Sequence, residues 1–188
     1  MDETARTALA GALETAVLVP MPGLAAAVDR HRRQFDLTAS WGAPPHVTVL
    51  YPFVPPREVD DALLAGLTDL LGSVPGFDCS FTATGWFGEE VLFLAPEPDE
   101  PFRRLTATVA GAFPDHPPYR GAHGNPTPHL GIGQRRLGDL AGLHAAEQAL
   151  RPELPLPVQV RTAALWAGSR EPGSWRPVAD LPLARPTA

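Results

Sequence analysis

Apolar positions along this 188-residue chain recur at two periods, and proline marks most of the switches between them. Strict alternation places residues i and i+2 on one face of a strand. It is clearest over 77–86, with Phe77, Cys79, Phe81 and Ala83 on one side and Asp78, Ser80, Thr82 and Thr84 on the other. Short apolar runs over 16–20 and 91–94 predict buried strands, ended by Pro20 and Pro22 in the first case and by Pro96 and Pro98 in the second. Two more strands, 46–51 and 129–133, each open on a histidine directly after proline. Recurrence at three and four residues predicts helices over 23–35, 57–73, 100–113 and 137–150. One continuous strand over 156–167 and a last one over 175–181, joined by a turn at Glu171-Pro172-Gly173, close the chain. Residues 1–13 are small and polar and are expected to be an N-terminal tail, frayed or a short helix, with 14–188 as a single domain of two lobes.

The order of these elements repeats. Strand 16–20, helix 23–35 and His-strand 46–51 are echoed by strand 91–94, helix 100–113 and His-strand 129–133. In the first His-strand, His46 and Thr48 share a face while Val47 and Val49 take the other; in the second, His129 and Gly131 share a face while Leu130 and Ile132 are buried. A duplication of this kind would bring the two His-strands into symmetric positions across one sheet system, and it predicts a bilobal fold with a cleft that holds two facing imidazoles. The irregular stretch 114–128 is long for a structureless connection, and such loops often carry function. It holds Tyr119, Arg120 and His123, which are candidates to line the same cleft.

Composition narrows the chemistry. A net charge of −6 argues against a broad, sequence-blind grip on duplex nucleic acid. All 15 basic residues are arginine; arginine suits bidentate phosphate recognition, but GC-rich coding explains an Arg-only, Ala- and Pro-rich chain equally well. The single cysteine, Cys79, is read as a buried structural thiol. No Cys/His spacing matches a zinc site, so neither metal nor cofactor is expected. The first residues lack a basic segment followed by an apolar run, and no stretch approaches about 18 apolar residues. The expectation is a cytoplasmic monomer with no membrane partner. His31, His116 and His144 read as surface or helix-face residues, Trp166 and Trp175 as packing residues, and Trp41 as either packing or a base-stacking ring.

At Pro45-His46-Val47-Thr48-Val49 and Thr127-Pro128-His129-Leu130-Gly131-Ile132 the sequence resembles the 2H phosphoesterase superfamily, in its 2′-5′ RNA ligase-like and RNA 2′,3′-cyclic phosphodiesterase branch. The resemblance spans about 14–168. Pro117-Pro118-Tyr119-Arg120-Gly121 is also similar to the lead-in of bacterial members. The resemblance implies a duplicated bilobal α+β fold of two mainly antiparallel sheets with helices on the outer faces and a central cleft, and metal-independent chemistry at phosphorus on a 2′,3′-cyclic phosphate or 2′-5′ phosphodiester of an RNA end or small nucleotide. One imidazole would act as base on water or a ribose hydroxyl and the other would protonate the departing oxygen, because histidine serves in either form near neutrality. Thr48 would donate to the phosphate and Arg120 would clamp it. Gly131 stands where the family carries Thr or Ser, which removes a donor worth about 10²-fold in rate unless a backbone N–H, a water or Arg120 replaces it, and which widens that side of the cleft. The alternatives are a catalytically weakened module that binds a phosphorylated nucleotide or RNA end, and a metallohydrolase using several of the six histidines.

Overall fold

The computed structural model describes residues 1–122 and 126–186. The segment before the first strand is a helix, α1 (Glu3–Leu9), capped by the Asp2 carboxylate and packed through Ala5 and Ala8. Then follow β1 (Glu14–Pro20), α2 (Ala25–Phe35), the single turn α3 (Leu37–Ser40) and β2 (His46–Leu50). The chain continues through α4 (Asp61–Gly72), the hairpin of β3 (Phe77–Phe87) and β4 (Val91–Glu97), α5 (Glu100–Ala112) and β5 (Leu130–Gln134). It ends with α6 (Leu140–Leu150), β6 (Leu156–Val160), β7 (Thr162–Gly168) and β8 (Arg176–Pro182).

The expectation of two sheets is corrected. The strands form one eight-stranded sheet in the order β6-β3-β4-β5-β2-β1-β7-β8, antiparallel at every pairing. The duplication survives as the two halves of this sheet, joined where β2 meets β5 through the pair Val47 and Leu130. The expected single strand over 156–167 is also corrected. It is two strands in opposite halves of the order, β6 at one edge beside β3 and β7 between β1 and β8, with Arg161 alone linking them along the chain. One residue spans only about 3.5 Å, so the sheet must curl until its two ends are neighbours. Arg161 fastens the junction: its guanidinium donates to the Phe77 carbonyl at 2.8 Å and to Asp78 at 2.6 Å.

The repeat helices cross over. Helix α2 packs on β5 and α5 on β2, so each half is covered by the other half's helix. One core fills the space beneath, drawing Val47 and Val49 from β2, Leu130 and Ile132 from β5, Val28 and Phe35 from α2, and Leu105 and Val109 from α5. The opposite faces of β1 and β2 are left to a smaller cluster of Ala16, Leu18 and Trp175, with Trp41, Tyr51 and Trp166 packed against it.

Candidate active site

The sheet's midline is where both histidines stand. With Val47 opposite Leu130 in an antiparallel pair, His46 faces Gly131 and Thr48 faces His129. All four residues line one pocket of about 360 Å³. The register thus converts two separate His-strands into a compact square of side chains on the face away from the core.

Each histidine is held in the same way. His46 Nδ1 lies 2.7 Å from the Pro44 carbonyl and His129 Nδ1 lies 2.8 Å from the Thr127 carbonyl. A carbonyl only accepts, so Nδ1 carries the proton in both rings and Nε2 is left as the free nitrogen. The proline before each His has a fixed φ and no N–H of its own, which suits this local loop back to residue i−2. Burial lowers both imidazoles' proton affinity. His46 falls to about 4: desolvation dominates, the Pro44 bond opposes it and the Arg32 guanidinium adds to it. His129 is also lowered by desolvation, against the Thr127 bond and the Asp36 carboxylate. Its ring is wedged by aromatic neighbours, edge-on to Phe87 at 4.9 Å and tilted to Phe93 at 5.4 Å. Phe93 in turn occupies the space over Gly85, where a Cβ would come within 2.5 Å of it.

Tyr119 and Thr48 both line the pocket, and the Thr48 hydroxyl works against the burial that raises the phenol's pKa. Burial raises the phenol's pKa, so it stays a neutral donor. Tyr119 and Arg120 both adopt left-handed backbone, φ 51° and 56°, uncommon for residues other than glycine; the Tyr119 N–H donates to the Tyr51 carbonyl at 2.7 Å and anchors that turn. Arg120 is not brought to the pocket. Its exposed guanidinium reaches Glu14 at 3.4 Å, so the expected phosphate clamp points elsewhere. His123 lies outside the described residues.

The guanidinium groups that do line the pocket belong to Arg32, Arg136 and Arg170. Arg32, only 2% exposed, is saturated by Asp36 at 2.9 Å, Asp29 at 3.4 Å and the Ala43 carbonyl at 3.2 Å. Its place in the last turn of α2 does not by itself announce this burial. The available signal is Asp36 four residues after Arg32, on the same helical face. Arg136 Nε donates to Gln134 at 2.7 Å, and the Tyr51 hydroxyl donates to Glu14 at 2.6 Å, with the Arg170 guanidinium acting on that phenol through its charge. Trp41, Tyr51 and Trp175 form an aromatic wall, with Tyr51 and Trp175 centroids 6.1 Å apart. Among the described residues no three His, Cys, Asp or Glu side chains converge on a metal-sized site, and no helix is long and apolar enough to cross a membrane.

Residues 20–172 match the sequence model of the 2′-5′ RNA ligase superfamily. The chain belongs to that superfamily. The 2H phosphoesterase resemblance read from the two His motifs is thereby established at family level, and with it membership in a family of phosphoesterase and ligase enzymes. Among curated proteins, none matches this sequence. Solved structures share the superfamily fold at low identity. The protein TT0787 of Thermus thermophilus aligns with a TM-score of 0.61 at 18% identity over 92% of this chain and 99% of that one. E. coli LigT complexed with 3′-AMP aligns at 0.59 and 16%, and LigT complexed with NADP⁺ at 0.55 and 17%, each over 93% of this chain and 99% of LigT.

Proposed function

We propose that this protein is a metal-independent phosphodiesterase acting on a 2′,3′-cyclic phosphate or 2′-5′ phosphodiester of an RNA end or small nucleotide, with His46 and His129 as its acid–base pair. The observation that carries this reading is the matched pair of imidazoles, each with Nδ1 tied to the carbonyl two residues back and Nε2 free, lining one pocket. The complexes of LigT with 3′-AMP, ATP and NADP⁺ favour a nucleotide ligand.

The environments divide the labour. Burial lowers both imidazoles and the Asp36 carboxylate favours the proton on each, but the Arg32 guanidinium acts on His46 alone. That one-sided repulsion favours His46 as the neutral base and His129 as the acid. An anionic phosphoryl group between them raises the proton affinity of both, which loads His129 when substrate binds. Thr48 and the Tyr119 phenol donate to the non-bridging oxygens as charge builds there. Tyr119 supplies the second donor that Gly131 lacks.

The test uses a nucleoside 2′,3′-cyclic phosphate and a 2′-5′ dinucleotide with EDTA present. Turnover that persists in EDTA and drops by at least about 10³-fold in both His46→Ala and His129→Ala supports the proposal. Loss in EDTA points to a metal. Binding without turnover in the native protein points to the phosphate-recognition module that the missing hydroxyl at Gly131 favours. With a 4-nitrophenyl diester, whose leaving group needs no proton, His129→Ala recovers most of its loss and His46→Ala does not.

A further inference from the structure

We infer that the pocket accepts an acyclic phosphodiester with one arm on each side of the histidine pair, and that Gly131 sets this preference over a five-membered cyclic phosphate. The inference rests on the phosphodiesterase reading above and narrows its substrate.

The pocket extends in both directions from the histidines. Tyr51 lies four residues past Val47 on one strand and Gln134 four past Leu130 on the other; the strands are antiparallel and both residues line the pocket. The two therefore lie on opposite sides of the imidazoles along the strands. A cyclic phosphate has a single nucleoside and fills one side only. The Tyr51 end offers Trp41 and Trp175 as apolar ring surfaces, which suit the face of a base.

Each end also carries an exposed arginine. Arg170 and Arg136 are exposed, line the pocket and make no ion pair among the described residues, whereas the adjacent Arg135 is paired with Glu89. Cations left open at both ends suit a ligand with negative or carbonyl oxygen groups beyond its central phosphate.

Gly131 provides the passage between the ends. It faces His46, and a Cβ built there meets nothing within 4 Å. Its backbone has no positive φ that would demand glycine, so the missing side chain is spare volume beside the phosphorus. In an acyclic diester the second arm leaves phosphorus through that volume. In hydrolysis, the water oxygen bonds to phosphorus as the bond to the departing arm breaks; His46 takes the water proton and His129 gives its proton to the departing oxygen.

The test compares 2′-5′-linked adenylyl-adenosine with adenosine 2′,3′-cyclic phosphate on the full chain. The native protein should favour the dinucleotide in kcat/KM by about tenfold or more, and Gly131→Thr, melting within a few degrees of native, should cut that ratio by about tenfold. Arg136→Gln with Arg170→Gln should raise KM for the dinucleotide several-fold and change its kcat little. A native preference for the cyclic phosphate, or a ratio that Gly131→Thr leaves unchanged, overturns the inference. Cyclic-phosphate turnover abolished by His46→Ala would then leave the phosphodiesterase reading standing, whereas turnover of neither substrate overturns both.

Discussion

At the scale of single residues, the site departs from a simple two-motif arrangement at Gly131, and on the proposed reading Tyr119 makes up the deficit. Thr48 and Tyr119 line the same pocket, so on the proposed reading both hydroxyls are available to a phosphoryl oxygen. Tyr119→Phe keeps the ring and deletes only the donor. It should lower kcat by about 10²-fold with KM and melting temperature nearly unchanged, as measured by steady-state kinetics and thermal unfolding. A loss confined to KM would assign the phenol to ground-state binding alone. The histidines and Thr48 were legible because a motif of alternating residues on a strand needs only local geometry. Tyr119 was recognisable as a candidate, but its alignment with Thr48 depends on two consecutive left-handed residues that no pattern announces. Arg120 was misplaced for the same reason: the turn that brings Tyr119 inward sends Arg120 out to Glu14.

At the scale of elements, helix α2 does more than cover the sheet. Its last turn buries Arg32 against Asp36, and the Asp36 carboxylate also accepts from the Thr38 backbone at the start of α3. This knot fixes the lead into β2 and underlies the environment of both imidazoles. Asp36→Ala strands a guanidinium that is 2% exposed; it should cost about 3 kcal/mol, roughly 6–12 °C in melting temperature, read by denaturant and thermal unfolding. A cost below about 1 kcal/mol would mean that Ala43, Asp29 and Thr38 suffice to hold Arg32. Helix and strand positions followed from periodicity to within a few residues at most ends. The strand over 156–167 did not divide in the sequence reading, because apolar continuity records burial and not which neighbour a residue pairs with.

At the scale of the whole molecule, the two histidines couple folding to pH. His46 is held at about 4 in the fold against 6.5 when free, and His129 is lowered as well. Between those values the unfolded chain binds more protons than the folded one. Stability is therefore greatest above about pH 6.5 and falls as pH drops towards 4, with this contribution exhausted below that. Melting temperature at pH 4.5 should lie below that at pH 7, and His46→Gln should flatten the dependence. An unchanged slope in that variant would place the titration in other groups. The curl of the sheet belongs to this scale too, since it comes from one-residue closure at Arg161 and from helices exchanged between halves.

By itself the sequence determined the α+β content, the repeated strand–helix–His-strand order, the faces on which His46, Thr48, His129 and Gly131 stand, and the family. These follow from periodicities and motifs that act over a few residues. Only the tertiary structure decided that the repeats merge into one sheet through Val47 and Leu130, that Arg32, Arg136 and Arg170 reach the pocket while Arg120 does not, and that Gly131 opens onto free space. Register and pocket lining are set by contacts between residues distant in the chain, and the free energy of those contacts is written in no local pattern.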